Sequence, residues 1–161
     1  MDDLTAKSPQ LLAIAFVQDA RAYVESAQTL ASVHGGAPRF YPPTYFLLGQ
    51  AIELVLKAHL SASGVSKKTL SSKEIRHNID VLFPMARDDF GFVPADDRFP
   101  DLVRWLAPYH RDHLFRYRKA IGHVVLPVAS EAAEIILNTI DGVEPFVRSQ
   151  FSRMREKSPK L

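Results

Sequence analysis

Apolar residues recur at helical spacing along nearly the whole chain, and no stretch alternates apolar and polar residues long enough to predict a strand. Residues 9 to 33 carry Leu12, Phe16, Tyr23, Leu30 and Val33 with Ala13, Ala20 and Ala27 between them. Ser8 can cap this helix, Pro9 suits its first turn, and Gly35-Gly36 should end it. Residues 37 to 43, with three prolines, predict an extended connector. Residues 44 to 63 then read as a helix that is apolar almost all round, which predicts a central position. Within it Glu53 and Lys57 stand four apart with the acid first, the favourable order for a helical ion pair. A charge on a central helix requires such a partner, because a lone buried carboxylate is costly.

Further on, Ser71 and Glu74 have capping-box spacing, so a third helix is expected from Ser71 or Ser72 through Ile75, Ile79, Leu82 and Phe83, ending or bending at Pro84. Residues 91 to 100 form a loop, and residues 101 to 107 a short helical turn broken before Pro108. A fourth long helix is expected from about Tyr109 to Val124, stopped by Pro127, with Leu114, Tyr117 and Ile121 inward. A fifth runs from Ser130 to about Gly142, and a sixth, amphipathic and basic, starts at Glu144. These elements predict an all-α protein, a helical bundle of about five to six helices. The 161 residues form one domain, with a core over about 9–142 and a basic C-terminal segment and tail over 143–161.

Composition narrows the class without naming a function. There is no cysteine, which rules out a disulfide framework and a thiolate zinc site. The two acids after Met1 are unlike the basic start of a secretory signal, and no apolar run is long enough for a membrane span, so a cytoplasmic protein with no membrane partner is expected. The net charge of +2 is small, but its distribution is uneven. From Arg111 to His123 the chain holds Arg111, Arg116, Arg118, Lys119, His113 and His123 against the single acid Asp112. Such a run suits a phosphate backbone, and it equally suits a solvated helix face. On an ideal helix Arg118 and His123 point about 140° apart. A distortion at Gly122 or a second copy of the chain would be needed to bring them together. Arg116 and Lys119 share a face with His123, whereas Arg118 lies beside the apolar stripe, where it can pair with a buried acid such as Glu53.

The other chemistry-bearing residues are weaker candidates. His110 and His113, three apart, lack a third ligand and read as surface histidines rather than a zinc site. His77 reads as a histidine packed between helices, and the pair Asp96-Asp97 as solvated. No metal and no cofactor is expected.

Three segments resemble the HEPN family (higher eukaryotes and prokaryotes nucleotide-binding). YFLLGQAIELVLKAHL, residues 45 to 60, is similar to that family's apolar helix with a Glu and a Lys four apart. RHNIDVLFPMA, residues 76 to 86, is similar to its His-Asn/Asp-Leu segment, and RKAIGH, residues 118 to 123, to its R-x4-6-H motif. The resemblance implies an up-and-down four-helix core and a homodimer whose motif helices face each other across one cleft. It implies RNA binding and metal-independent endoribonuclease activity, with Arg118 and His123 catalytic and Arg116 and Lys119 substrate-binding. It also implies a toxin or defence setting with a cognate antitoxin or other partner protein. His123 would act as general acid or base and Arg118 would stabilise the transition-state charge. Lys119 departs from the Asn, Asp or His often found after the motif arginine, since lysine accepts no hydrogen bond; this weighs against cleavage more than against binding. Glu53 and Lys57 are expected to form a structural ion pair. The alternative function is a non-catalytic helical interaction or dimerisation domain in which Arg118 and Glu53 are structural and the amphipathic tail from Glu144 docks a partner or a second copy.

Overall fold

The computed structural model of the chain describes residues 8–33, 36–116 and 125–157. Among them there are six α-helices and no strand: α1 (Pro9–Ser32), α2 (Tyr41–Ala62), α3 (Lys67–Leu70), α4 (Ile79–Pro84), α5 (Phe99–Arg111) and α6 (Ala129–Lys157). The protein is a helical bundle, and no described helix is long and apolar enough to cross a membrane.

α2 is the centre, as its all-round apolarity predicts. Leu48, Ala51, Ile52, Val55, Leu56, Ala58 and Leu60 are completely buried. α2 packs most extensively against α1 and then against α6, which also packs on α1. α1 turns small residues toward this seam: Ala13, Ala20 and Ala27 lie seven apart and are essentially inaccessible, with Val17 and Val24 between them. Small side chains let two helix axes approach closely and shape how ridges seat in grooves. The larger Phe16 and Tyr23, expected on the buried stripe, are only partly buried against the margin of the core.

Prolines act differently here from the sequence expectation. Residues 37 to 43 are not an extended connector: Pro38–Phe40 form a 3-10 turn, and α2 begins at Tyr41 with Pro42 in its opening positions. Proline is accommodated there because the first amides of a helix have no intrahelical acceptor. α4 ends at Pro84, but the helical path does not stop there, and the chain continues as a π-helical turn over Met85–Asp89. Pro108 does not break α5, which runs through it to Arg111 and stops there, so the expected helix from Tyr109 to Val124 is not formed over residues 112 to 116, where the chain turns. Nor do Gly142 and Pro145 divide the C-terminal region, because α6 is continuous from Ala129 to Lys157.

The expected capping box at Ser71 is also not used. Ser66 caps the short α3 instead, its hydroxyl accepting from the Thr69 amide at 3.1 Å, and the Ser71 amide closes that helix on the Lys67 carbonyl. The chain therefore turns through residues 71 to 77 and enters α4 only at Ile79.

Loops are tied to the bundle by buried or bridging polar groups. Asp96 is buried, not solvated: it accepts from the Arg98 guanidinium at 2.7 Å and from Asn138 Nδ2 of α6 at 3.0 Å. The Tyr45 hydroxyl of α2 donates to the Pro127 carbonyl, anchoring the segment that leads into α6. His59 donates from Nε2 to the Phe90 carbonyl at 2.9 Å and stacks on Phe146. Arg21 of α1 bridges to Asp141 and Glu144 of α6 at 2.7 and 3.1 Å.

Gly142 shows what the glycine inside α6 does. A Cβ at this position would lie 2.7 Å from the Ala95 Cβ, so the glycine seats the 91–98 loop rather than ending the helix. Gly142→Ala gains helix propensity of about 1 kcal/mol but overpacks this contact by about 1–3 kcal/mol. A net loss of about 1 kcal/mol in urea denaturation is expected; a stabilised variant would show that the contact yields freely.

Candidate functional site

The site is built on Glu53, at the middle of α2. Its fractional exposure is 2%. One turn further along the same helix, Lys57 Nζ donates to Oε1 at 2.6 Å, the ion pair that the four-residue spacing predicts. The second oxygen, Oε2, accepts from His110 Nε2 at 2.7 Å and from His77 Nδ1 at 3.1 Å. A carboxylate has only acceptor sites to offer, so both imidazoles present an N–H to it. One side chain thus joins three parts of the chain: α2, the turn before α4, and the end of α5.

The surroundings keep this carboxyl ionised. Burial alone raises its pKa, but the His110 hydrogen bond and then the Lys57 charge outweigh that effect and hold it down at about 2. His110 itself is buried. It continues the inward stripe of α5, following Phe99, Leu102, Val103, Leu106 and Ala107 at three- and four-residue steps. Gly49 makes room for it: a Cβ there would come within 2.6 Å of His110 Nδ1. The glycine in the apolar helix thus marks a close approach.

His77 is different in kind. Its backbone has φ of 59°, the left-handed region that a residue with a Cβ seldom adopts. Its side chain is 43% exposed, so the cluster runs from the core to the surface. His113, also left-handed at φ 53°, packs its ring edge-on to His77 with centroids 5.6 Å apart. Burial, and then the nearby His77, His110 and Arg116, push the His113 imidazole below its usual pKa.

The expected site residues divide into two groups. Glu53 and Lys57 are in direct contact, and Arg116 is exposed on the turn that follows α5. Arg118, Lys119 and His123 lie outside the described residues, as does the angular relation between Arg118 and His123. The expectation of a surface His110 is overturned, because it is a buried partner of Glu53. The signal was present in the sequence: once α5 continues through Pro108, His110 falls on its apolar stripe. The pair His110 and His113 is not completed; instead His110 lies with two residues from distant segments, Glu53, His77 and His110 offering one ligand atom each within 4.8 Å of one another. His113 is not part of that set.

Compared with protein-family models, curated proteins and solved structures, the chain matches none.

The depressed pKa gives a definite pH dependence. A carboxyl held at about 2 when folded, against 4.5 as the ordinary value, contributes stability that is complete above pH 4.5 and is lost as pH falls through 2. At 1.36 kcal/mol per unit this is about 3 kcal/mol. Denaturation of the wild type should therefore lose about 3 kcal/mol more than that of Glu53→Gln across this window; parallel pH profiles would show that Glu53 carries no such linkage.

Proposed function

We propose that the protein is a HEPN-like, cytoplasmic, homodimeric RNA-binding protein and a metal-independent endoribonuclease of a toxin or defence system. The observation that supports this reading is the convergence around Glu53. Segment 45–60, segment 76–86 and the chain that leads toward 118–123 meet there through Lys57, His77 and His110. Two of the three segments on which the resemblance rests, 45–60 and 76–86, are thus in contact, and the third, 118–123, follows α5 along the chain and lies outside the described residues. Their meeting point positions the turn bearing His113 and Arg116, from which the chain enters the R-x4-H motif. On this reading Arg118 and His123 carry the chemistry, His123 moving the proton of the attacking 2′-hydroxyl or the leaving oxygen and Arg118 stabilising the phosphorane-like charge. Arg116 and Lys119 hold the phosphate backbone. A partner subunit would supply the second half of the cleft.

A specific observation favours a second reading, a non-catalytic interaction domain. Trp105 is 53% exposed on α5 and lines a cleft with Pro127, while Val125 and Val128, on either side of that proline, are 76% and 59% exposed. Exposed apolar residues grouped in this way suit contact with another protein surface.

Incubation with total RNA in EDTA separates the two. The first reading predicts cleavage by the wild type and loss of about two orders of magnitude or more in His123→Ala, since general acid–base catalysis typically contributes 10²–10⁴-fold. No cleavage by either, or equal cleavage by both, would remove the ribonuclease assignment. RNA affinity, measured separately, should fall steeply with salt if phosphate contacts drive it. The second reading predicts no cleavage, and weakened self-association or partner binding in Trp105→Glu.

A further inference from the structure

We infer that Glu53, His77 and His110 form a binding site for one divalent transition-metal ion of the zinc class. The three ligand atoms come from separate segments, α2, the turn before α4 and α5, and all lie within 4.8 Å of one another. Glu53 Oε2 stands 2.7 Å from His110 Nε2 and 3.1 Å from His77 Nδ1. A tetrahedral zinc about 2.0–2.2 Å from each ligand needs ligand atoms about 3.3 Å apart. To admit the ion the Glu53–His110 contact opens by about half an ångström, and the two histidine nitrogens, no more than 4.8 Å apart, settle at the same spacing.

The rest of the cluster has the form of a supporting shell. Lys57 engages Oε1, leaving Oε2 to the metal, and so fixes the plane of the carboxylate. Gly49 seats the His110 ring without a competing Cβ. His113 packs edge-on against His77 and limits that ring's rotation. On metal binding each histidine gives up the N–H that now points at Glu53, either releasing the proton or moving it to the other ring nitrogen. His77 provides an entrance, because its side chain is partly exposed while His110 and Glu53 are enclosed.

Ligand chemistry also sets which ion is taken. Two imidazoles and one carboxylate oxygen suit zinc, cobalt or nickel. Magnesium and calcium prefer more oxygen ligands than this site offers. The left-handed backbone of His77 supports the same assignment: asparagine or glycine would adopt that conformation with less strain, so the position holds histidine at a conformational cost.

That strain supplies a variant that should fold. His77→Asn keeps the left-handed turn and leaves Glu53 paired with Lys57 and His110, but removes one ligand. The metal-free wild type, titrated with Co²⁺, should develop the visible absorption of a tetrahedral site at one equivalent, and Zn²⁺ should displace it. Zn²⁺ should raise the melting temperature of the wild type, and Mg²⁺ should not. In His77→Asn, Co²⁺ and Zn²⁺ affinity should fall by more than the roughly 10–100-fold that loss of an outer-shell partner causes. The assignment is overturned if the wild type shows neither the absorption nor the Zn²⁺-dependent melting shift, or if His77→Asn binds as tightly. Both readouts are independent of RNA cleavage, so their outcome leaves the ribonuclease reading to its own test.

Discussion

A carboxylate placed inside an apolar helix must be satisfied, and the arrangement of this protein follows from how that is done. Glu53 is almost completely enclosed, at the centre of the helix that packs on both α1 and α6. Its negative charge is tolerable because Lys57 lies one turn along and two imidazoles donate to its other oxygen. Each partner fixes a different segment. His110 locks the end of α5 against α2, and His77 holds the turn before α4 in a conformation that its own backbone disfavours. Removing the charge would leave a buried lysine without its counter-ion, which is why such pairs are costly to break even where they add little as a whole.

The apolar packing and the polar hub are complementary. The alanine seam of α1 lets α2 sit deep in the bundle, and a deep α2 is what makes Glu53 a buried group rather than a solvated one. Gly49 then allows α5 to bring a ring where a larger residue would keep it away. The result is a line of histidines running from His110 in the core through His77 to His113, immediately before Arg116 and the basic run.

Much of this was readable from the chain itself. The all-α class, the central place of the second helix and the Glu53–Lys57 pair follow from helical periodicity and i,i+4 spacing, which are local properties. What was missed depends on contacts between distant segments. No pattern around His77 announces that it will meet a residue twenty-four positions earlier, and His110 reads as a surface residue only while Pro108 is taken as a stop. Proline and glycine mislead for one reason: packing overrides their local preferences at Pro108 and Gly142. Helical spacing puts Phe16 and Tyr23 on the same stripe as the alanines of α1, and it does not show that close helix contact favours the alanines while the aromatic rings stay at the margin of the core.

The claim on which the rest depends is that Glu53 and His110 are energetically coupled, not merely adjacent. A double-mutant cycle with Glu53→Gln, His110→Gln and the double variant, followed by urea denaturation at neutral pH, measures that coupling directly. The account predicts an interaction of about 2 kcal/mol or more, within the range seen for residues sharing a buried hydrogen-bond network. Additive effects of the two substitutions would contradict it, and would mean that α2 and α5 are held together by apolar packing alone.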